Sequence, residues 1–425
     1  MPQSQTSPII INNQLKSYRK RSSARDRFFC FYIAPLSRYY SYLRSAEQII
    51  LSYKGEEPFA VFIKKHFAQH KKHGSTDRKE ISQLCYSFFR LGQALPNIET
   101  TERILIGLFL SSQSPNKTLE KLKPEWNTQA TLPVEEKLLL LGAANFSPSD
   151  IFPWNDELSN GIDATKFDTS FLIQPDLFIR TRPGNEQRVK SKLKQAEISF
   201  EQVGTSCLRL PNTTQVMGVL ELDKEAVIQD YNSQQVGNLF MTEVSTSPNL
   251  TAWDCCAASG GKSIMLYDIR PNVALTVSDV RPSILSNLKK RFSAAGIKHY
   301  RSILADLTYT SIDNYFPEVD LVIADVPCTG SGVWSRTPEQ LYYFKKDRIA
   351  YYAALQKKIL TNVIPHIKPG GELLYITCSV FRKENEDMVE FLNMQHHMEI
   401  VKIQVLEGYS LKADTMFAAL MTKPL

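Results

Sequence analysis

Two cysteines in the 425-residue chain are placed for chemistry rather than for packing. Cys328 follows the apolar run Val319–Asp325, and Cys378 closes another over residues 371–378. Each therefore stands just past the carboxyl end of a predicted strand. A free thiol with a pKa of about 8.5 is only slightly ionised near neutrality, so a nucleophilic cysteine needs help. A helix predicted to begin near Lys383 offers Cys378 its N-terminal dipole. Asp325 lies in the loop of Cys328, and a carboxyl group beside a thiol suits acid–base work. Cys255 and Cys256 read instead as small buried hydrophobes.

The elements that position these groups begin at Trp253–Ser263, where an apolar run ends in small residues and two glycines. A helical pattern follows in Ile264, Met265, Leu266 and Ile269. Strand, glycine turn and helix make a cofactor site, because the bare backbone approaches the ligand and the helix start has free N–H groups. Two chemistries compete there. A nucleotide-phosphate loop needs glycine at position 256, which is Cys256, although Val319–Asp325 could serve as the second NTPase motif. A nucleoside cofactor held by its ribose needs an acid at the end of the next strand. That strand is predicted at 273–278, and Asp279 follows it. Asp254, Asp306, Asp325 and the Thr377-Cys378-Ser379 run collect at the same edge.

From residue 236 onward, strands predicted near 250–256, 273–278, 300–304, 319–325 and 371–378 alternate with helices, one covering 345–366. Such spacing means parallel β-α-β units. Two last runs, Ile400–Leu406 and Thr415–Thr422, are too close for a crossover and must pair antiparallel. That is the shape of the class I methyltransferase fold, a Rossmann-like sheet ending in an antiparallel hairpin. Upstream, apolar residues recur at helical spacing from about 28 to 145, giving an all-helical domain of five or six helices. A small β-α-β-β module follows, with strands at 178–182, 207–210 and 216–222 and a helix over 186–197. Its basic strand and helix could lie along a phosphate backbone.

Net charge is +6, yet residues 1–75 alone carry 13 Lys/Arg against 4 Asp/Glu. That surplus suggests a polyanion partner. Seven cysteines without a CxxC pair point to a reducing compartment and away from a zinc ribbon. No apolar run reaches the ~20 residues of a membrane helix.

A nucleophilic cysteine, a carboxyl group and a methyl-donor fold imply a definite reaction. Carbon 5 of a pyrimidine is a poor nucleophile until a thiolate adds at carbon 6, and a carboxyl donor at the 3-nitrogen would stabilise the developing charge. The base must be reached outside the helix stack.

The motifs carry a resemblance. Cys256-Ala257-Ala258-Ser259-Gly260-Gly261-Lys262, Asp325-Val326-Pro327-Cys328-Thr329-Gly330-Ser331-Gly332, Arg336-x-Pro338-Glu339 and Tyr375-x-Thr377-Cys378-Ser379-x5-Glu384-Asn385-Glu386 resemble the RNA (cytosine-5) methyltransferases of the Sun/RsmB (NOL/NOP/Sun) family. Ser259 stands where that family usually has Pro, and Arg336 stands alone where a basic pair is usual. The resemblance implies Cys378 as nucleophile, Cys328 in product release, Asp325 at the base and Lys262 near the reacting centre. It implies S-adenosylmethionine held by Ala258, Ser259, Gly260, Gly261, Lys262, Asp279, Asp306 and Asp325. Two cysteines at these places point to RNA rather than DNA.

The expected organisation is a basic flexible tail over 1–27, a helical domain and linker over 28–165, a small α/β RNA-binding module over 166–235 and a methyltransferase domain over 236–425. The expected protein is a cytoplasmic, monomeric enzyme acting on ribosomal (16S) RNA, without metal or membrane association. Transfer RNA is the alternative substrate. A P-loop NTPase and a non-catalytic RNA-binding ribosome assembly factor are the readings of other classes.

Overall fold

The computed structural model describes residues 26–142, 146–245, 247–309 and 316–425, with side chains from residue 38 onward. The basic tail expected over 1–27 lies almost wholly outside these residues.

Seven helices come first: α1 (Asp26–Ser52), α2 (Phe59–Gln69), α3 (Ser75–Arg90), α4 (Thr100–Ser111), α5 (Lys117–Leu122), α6 (Pro124–Asn127) and α7 (Val134–Leu140). α5 and α6 are one-turn pieces that periodicity does not resolve. In α3, Ile81, Leu84, Cys85, Phe88 and Phe89 recur at helical spacing and are buried against Leu43, Ile50, Phe59 and Phe109. The aromatic residues here are core, as expected. After two short turns comes α8 (Ala164–Ser170).

The small module consists of β1 (Leu177–Thr181), α9 (Glu186–Gln195), β2 (Glu201–Gln202), β3 (Cys207–Leu210) and β4 (Ala226–Ile228). Its sheet has the order β2-β3-β1-β4, antiparallel throughout. This corrects one expectation. Residues 216–222 form turns with isolated bridges, and the strand beside β1 is Ala226–Ile228. Val216 and Leu220 are apolar because they roof the module's core, not because they pair.

α10 (Tyr231–Val236), begun by the Asp230 side chain accepting from Asn232 N, leads into the large sheet. Its elements are β5 (Thr251–Asp254), α11 (Gly261–Ile269), β6 (Ala274–Asp279), α12 (Pro282–Ala295), β7 (Tyr300–Leu304), β8 (Val319–Asp325), α13 (Pro338–Tyr343), α14 (Asp347–Val363), β9 (Ile367–Thr377), α15 (Glu386–His396), β10 (Glu399–Leu406) and β11 (Met416–Thr422). The order is β10-β11-β9-β8-β5-β6-β7. β5 to β9 run parallel, and β11 pairs antiparallel with both β9 and β10. This is the expected Rossmann-like methyltransferase sheet with its antiparallel hairpin. Alternate residues serve two cores: Ala252, Leu321, Ile323, Leu374 and Ile376 face α11 and α12, whereas Trp253, Val322, Ala324, Leu373 and Tyr375 face α14 and α15. Central strands buried on both faces must be continuous apolar runs, which is why they were legible.

The three units are joined by buried polar contacts. Arg180 Nη1 and Arg182 Nη2 both donate to Asp268 of α11, at 2.6 and 2.7 Å, and Arg182 also reaches the Ala295 carbonyl at 2.8 Å. The basic strand therefore clamps the module onto the large sheet and presents no cations to a phosphate backbone. On α9, Arg188 and Lys192 pair with Glu221 and Glu225 of the same module. The helical domain docks on α13. Glu339 accepts from the first free N–H of α2, at Phe59, and Gln93 donates to the Leu341 and Tyr342 carbonyls.

Removing one partner of a buried ion pair leaves the others uncompensated, at about 3–5 kcal/mol, whereas an exposed pair contributes under about 1 kcal/mol. Asp268→Ala is expected to produce the larger loss in denaturant titration. Lys346→Ala, which breaks exposed pairs to Asp156 and Glu157, is expected to leave the midpoint nearly unmoved.

Candidate active site

A cavity of about 390 Å³ opens at the carboxyl ends of four adjacent parallel strands. Its walls come from the segments after β5 (Cys255, Cys256, Ala258), β6 (Asp279, Arg281), β7 (Asp306, Thr308) and β8 (Asp325, Pro327), with Leu355 and Ile359 of α14 as an apolar side. This is where an open α/β sheet binds ligands.

The turn at its floor is fixed from several directions. Ala258 has φ +46, a left-handed conformation that costs a non-glycine residue about 1–2 kcal/mol. Its N–H donates to Asp279 Oδ2 at 3.1 Å. Gly260 has φ +82, and a Cβ there would meet Phe292 of α12 at 2.6 Å. Arg291 donates to the Ser259 carbonyl and hydroxyl, both at 2.9 Å, so a side-chain grip holds the turn at Ser259. Ser259, Gly260, Gly261 and Lys262 are absent from the cavity lining. Of the residues expected to hold a cofactor, Ala258, Asp279, Asp306 and Asp325 form its wall.

Asp279 is already engaged. Arg281 donates to it through its backbone N–H at 2.9 Å, Nε at 3.0 Å and Nη2 at 3.2 Å. Asp306 accepts from the N–H and hydroxyl of Thr308 at 2.9 and 2.7 Å. Lys262 points away from the ribose end. Its Nζ donates to Asp325 Oδ2 at 3.1 Å and to Ser233 Oγ at 2.8 Å.

Beyond Pro327 the two cysteines meet, with Sγ atoms 3.3 Å apart. The hydrogen bond with Cys378 and burial push the Cys328 thiol well above the ordinary cysteine range, so Cys328 keeps its proton. Cys255 is pushed up likewise by its bond to Cys256 and by burial, which fits an inert packing role. The helix start expected beside Cys378 lies farther on. A single turn over Arg382–Glu384 intervenes and α15 begins at Glu386, and the thiol's hydrogen-bonding neighbour is the Cys328 thiol.

Both cysteine loops hang on Glu384. This fully buried carboxylate accepts from Thr329 N (2.8 Å), Thr329 Oγ1 (2.7 Å), Ser379 Oγ (2.8 Å) and Gln356 Nε2 (3.2 Å). Asn385 donates to the Ser379 carbonyl and accepts from Thr377. Gly332 donates to the Cys378 carbonyl at 2.9 Å, and a Cβ there would lie 1.9 Å from the Thr415 carbonyl oxygen, so only glycine fits.

Residues 241–422 match the family model described as 16S rRNA methyltransferase RsmB/F. Over these residues the chain is similar to the Sun/RsmB family. Ribosomal RNA small subunit methyltransferase B of Xylella fastidiosa (strain 9a5c) is 32% identical over 166 residues, covering 39% of this chain and 38% of that one. Its Proteus mirabilis counterpart is 30% identical over 206 residues, 46% of each chain. The matched stretches thus span under half the length of these relatives. Among solved structures, PH0851 superposes with a TM-score of 0.63 at 17% identity over 92% of this chain and 98% of that one. NSun6 from Pyrococcus horikoshii with SFG gives 0.56 at 13% identity over 65% and 96%. At those identities the structures establish a shared fold.

Within this domain, sequence reasoning overlooked Ser233, Arg281 and Gln356. The only signal for Ser233 was the polarity of the Asn232-Ser233-Gln234-Gln235 run at a buried entry. Arg336, which stands alone where the family has a basic pair, is clasped between Asp230 and Asp414 at 2.7 and 2.6 Å. Among the described residues there is no cluster suited to a metal ion, and no described helix is long and apolar enough to cross a membrane.

Asp254 supplies a pH test. Burial raises its pKa to about 7 despite the Ser263 hydroxyl at 2.6 Å, and its Oδ1 has no partner among the described residues. A carboxyl whose folded pKa exceeds its unfolded value stabilises the fold below the unfolded value, and loses that stability as pH rises to about 7. Asp254→Asn is expected to flatten the melting temperature between pH 4 and 7 and to raise it at pH 8.

Proposed function

We propose that this chain is an S-adenosylmethionine-dependent RNA cytosine carbon-5 methyltransferase acting on small-subunit ribosomal RNA. The observation that carries the reading is the meeting of Cys328 and Cys378 at 3.3 Å, beside the Lys262–Asp325 pair at the mouth of a nucleoside-sized cavity. The names of the matched family and relatives support the ribosomal substrate. The domain boundaries proposed are those given above: helical domain and linker over 28–165, α/β module over 166–235, and catalytic domain over 236–425.

The residues fit the cofactor. Asp279, at the end of the second parallel strand, is placed for ribose hydroxyls, and Asp306 sits on the adjoining wall for the adenine. The apolar wall of Leu355 and Ile359 suits an adenine face. When bound, S-adenosylmethionine supplies an electrophilic methyl group. The protein supplies the rest. Cys378 gives a thiolate that bonds to carbon 6 of cytosine, making carbon 5 nucleophilic. Asp325, held by Lys262 at 3.1 Å, contacts the base at its 3-nitrogen edge. After methyl transfer the proton leaves carbon 5 and the sulfur–carbon bond breaks. Water carries off that proton, and Cys328, which keeps its own, assists release by donating to the departing Cys378 thiolate.

Cys328→Ala is expected to leave a covalent protein–RNA adduct visible on a denaturing gel, and Cys378→Ala to leave none. The opposite pattern would reverse the two roles. Mass spectrometry of nucleosides, after incubation with separated ribosomal and transfer RNA from cells lacking the gene, should find labelled 5-methylcytidine in the ribosomal fraction. Label in transfer RNA alone would reassign the substrate.

Ser233 gives a second test. If its hydroxyl fixes Lys262, Ser233→Ala should lower kcat about 10-fold, near the 1.4 kcal/mol of one hydrogen bond to a charge. Ser233→Thr should restore it. The effect should vanish in a Lys262→Ala background, as expected for residues acting as a unit.

A further inference from the structure

α14 descends from the edge of the sheet that carries the cysteines, because it follows β8 and returns the chain to the start of β9. Its first two turns therefore flank the catalytic loops. The packed face is fixed by Gln356, which donates to the Pro327 carbonyl at 3.0 Å, and by Leu355 and Ile359 on the cavity wall. One helical turn before Gln356 and Leu355 stand Tyr352 and Tyr351, on the same faces but above the contacts. Tyr351 is 52% exposed. The two rings meet edge to face, 5.3 Å apart. Over them lies the Arg348 guanidinium, 4.2 Å from the centre of the Tyr351 ring and 5.0 Å from that of Tyr352. Among the described residues Arg348 makes no ion pair, and Lys345 beside it is exposed.

We propose that Arg348, Tyr351 and Tyr352 form a stacking platform for the unpaired RNA base adjacent to the target cytosine. This rests on the reading given above. A base taken out of its stack leaves its neighbour with a bare face, and an enzyme that replaces that contact recovers part of the unstacking cost. An aromatic ring offers a sequence-tolerant surface for it, and a guanidinium plane stacks equally well while attracting the phosphate. A ring half open to water adds nothing to the core, so burial does not explain Tyr351. Flat π surface, unneutralised positive charge and continuity with the cavity wall together match a nucleotide.

The test uses the full-length protein and a single-stranded RNA dodecamer with one cytosine, carrying 2-aminopurine on its 5′ or its 3′ side. Stacking quenches the probe without requiring turnover. Quenching is expected on one side with the unaltered protein. Tyr351→Ala and Arg348→Ala should abolish it and raise the KM for RNA roughly 10-fold, within the range of one lost base stack. The KM for S-adenosylmethionine and the melting temperature should not move. Tyr351→Phe should behave as the parent. Unchanged quenching and KM in both alanine variants would overturn the platform, as would a Tyr351→Phe variant no better than alanine. If the parent quenches the probe but transfers no methyl group, the platform stands and the proposed reaction fails.

Discussion

The geometry of the two cysteine loops depends on one buried carboxylate. Both oxygens of Glu384 are fully used, each by two donors, and the donors come from the Cys328 loop, the Cys378 loop and α14. Burial raises its pKa, and four inward hydrogen bonds oppose that rise. An unsatisfied buried acceptor is far more costly than a made bond is favourable, so the loops have one arrangement that satisfies Glu384 and few that approach it. The 3.3 Å separation of the thiols follows from that arrangement rather than from any attraction between them. Tyr375, whose hydroxyl donates to the Glu384 carbonyl and to Gln356, ties the same centre into the sheet.

What was legible in the sequence was whatever the sheet dictates locally. Strands β5, β6, β8 and β9 are buried on both faces and must read as largely apolar runs, whereas the edge strand β7 is half-exposed. Their carboxyl ends, and with them Asp254, Asp279, Asp306, Asp325, Cys328 and Cys378, could be placed before the fold was known. The small module was harder. A three-residue strand at Ala226–Ile228 gives no period to detect, while the apolar 216–222 run, which caps a core, imitates one. Ser233 and Arg281 were illegible for another reason. Their partners, Lys262 and Asp279, are set by tertiary approach or by a turn, and a lone Ser or Arg carries no mark of what it will touch.

Charge misled more than pattern did. Arg180 and Arg182 read as a basic strand open to a phosphate backbone, and Arg336 as the remnant of a basic pair. All three are consumed internally: two on Asp268, and one between Asp230 and Asp414. The Asp230–Arg336–Asp414 cluster shows why. One guanidinium holds two carboxylates whose burial lifts both pKa values, Asp414 to about 7, so the cation is needed where it is. The Arg336 cluster sits where the module, the loop after Cys328 and the start of β11 converge, whereas the Asp268 cluster holds the module against the end of α11.

The cavity wall is organised by polar contacts too. Asp279 is not a bare carboxylate. Arg281 grips it through two side-chain nitrogens, and Ala258 and Arg281 each give it a backbone N–H. The backbone bonds keep the carboxyl aimed into the cavity and hold Ala258 in its left-handed turn. The guanidinium is 58% exposed at its side chain and can swing into water at little cost. The turn that defines the cavity is thus held by backbone donors, and the exposed part of the contact is confined to one side chain at its rim.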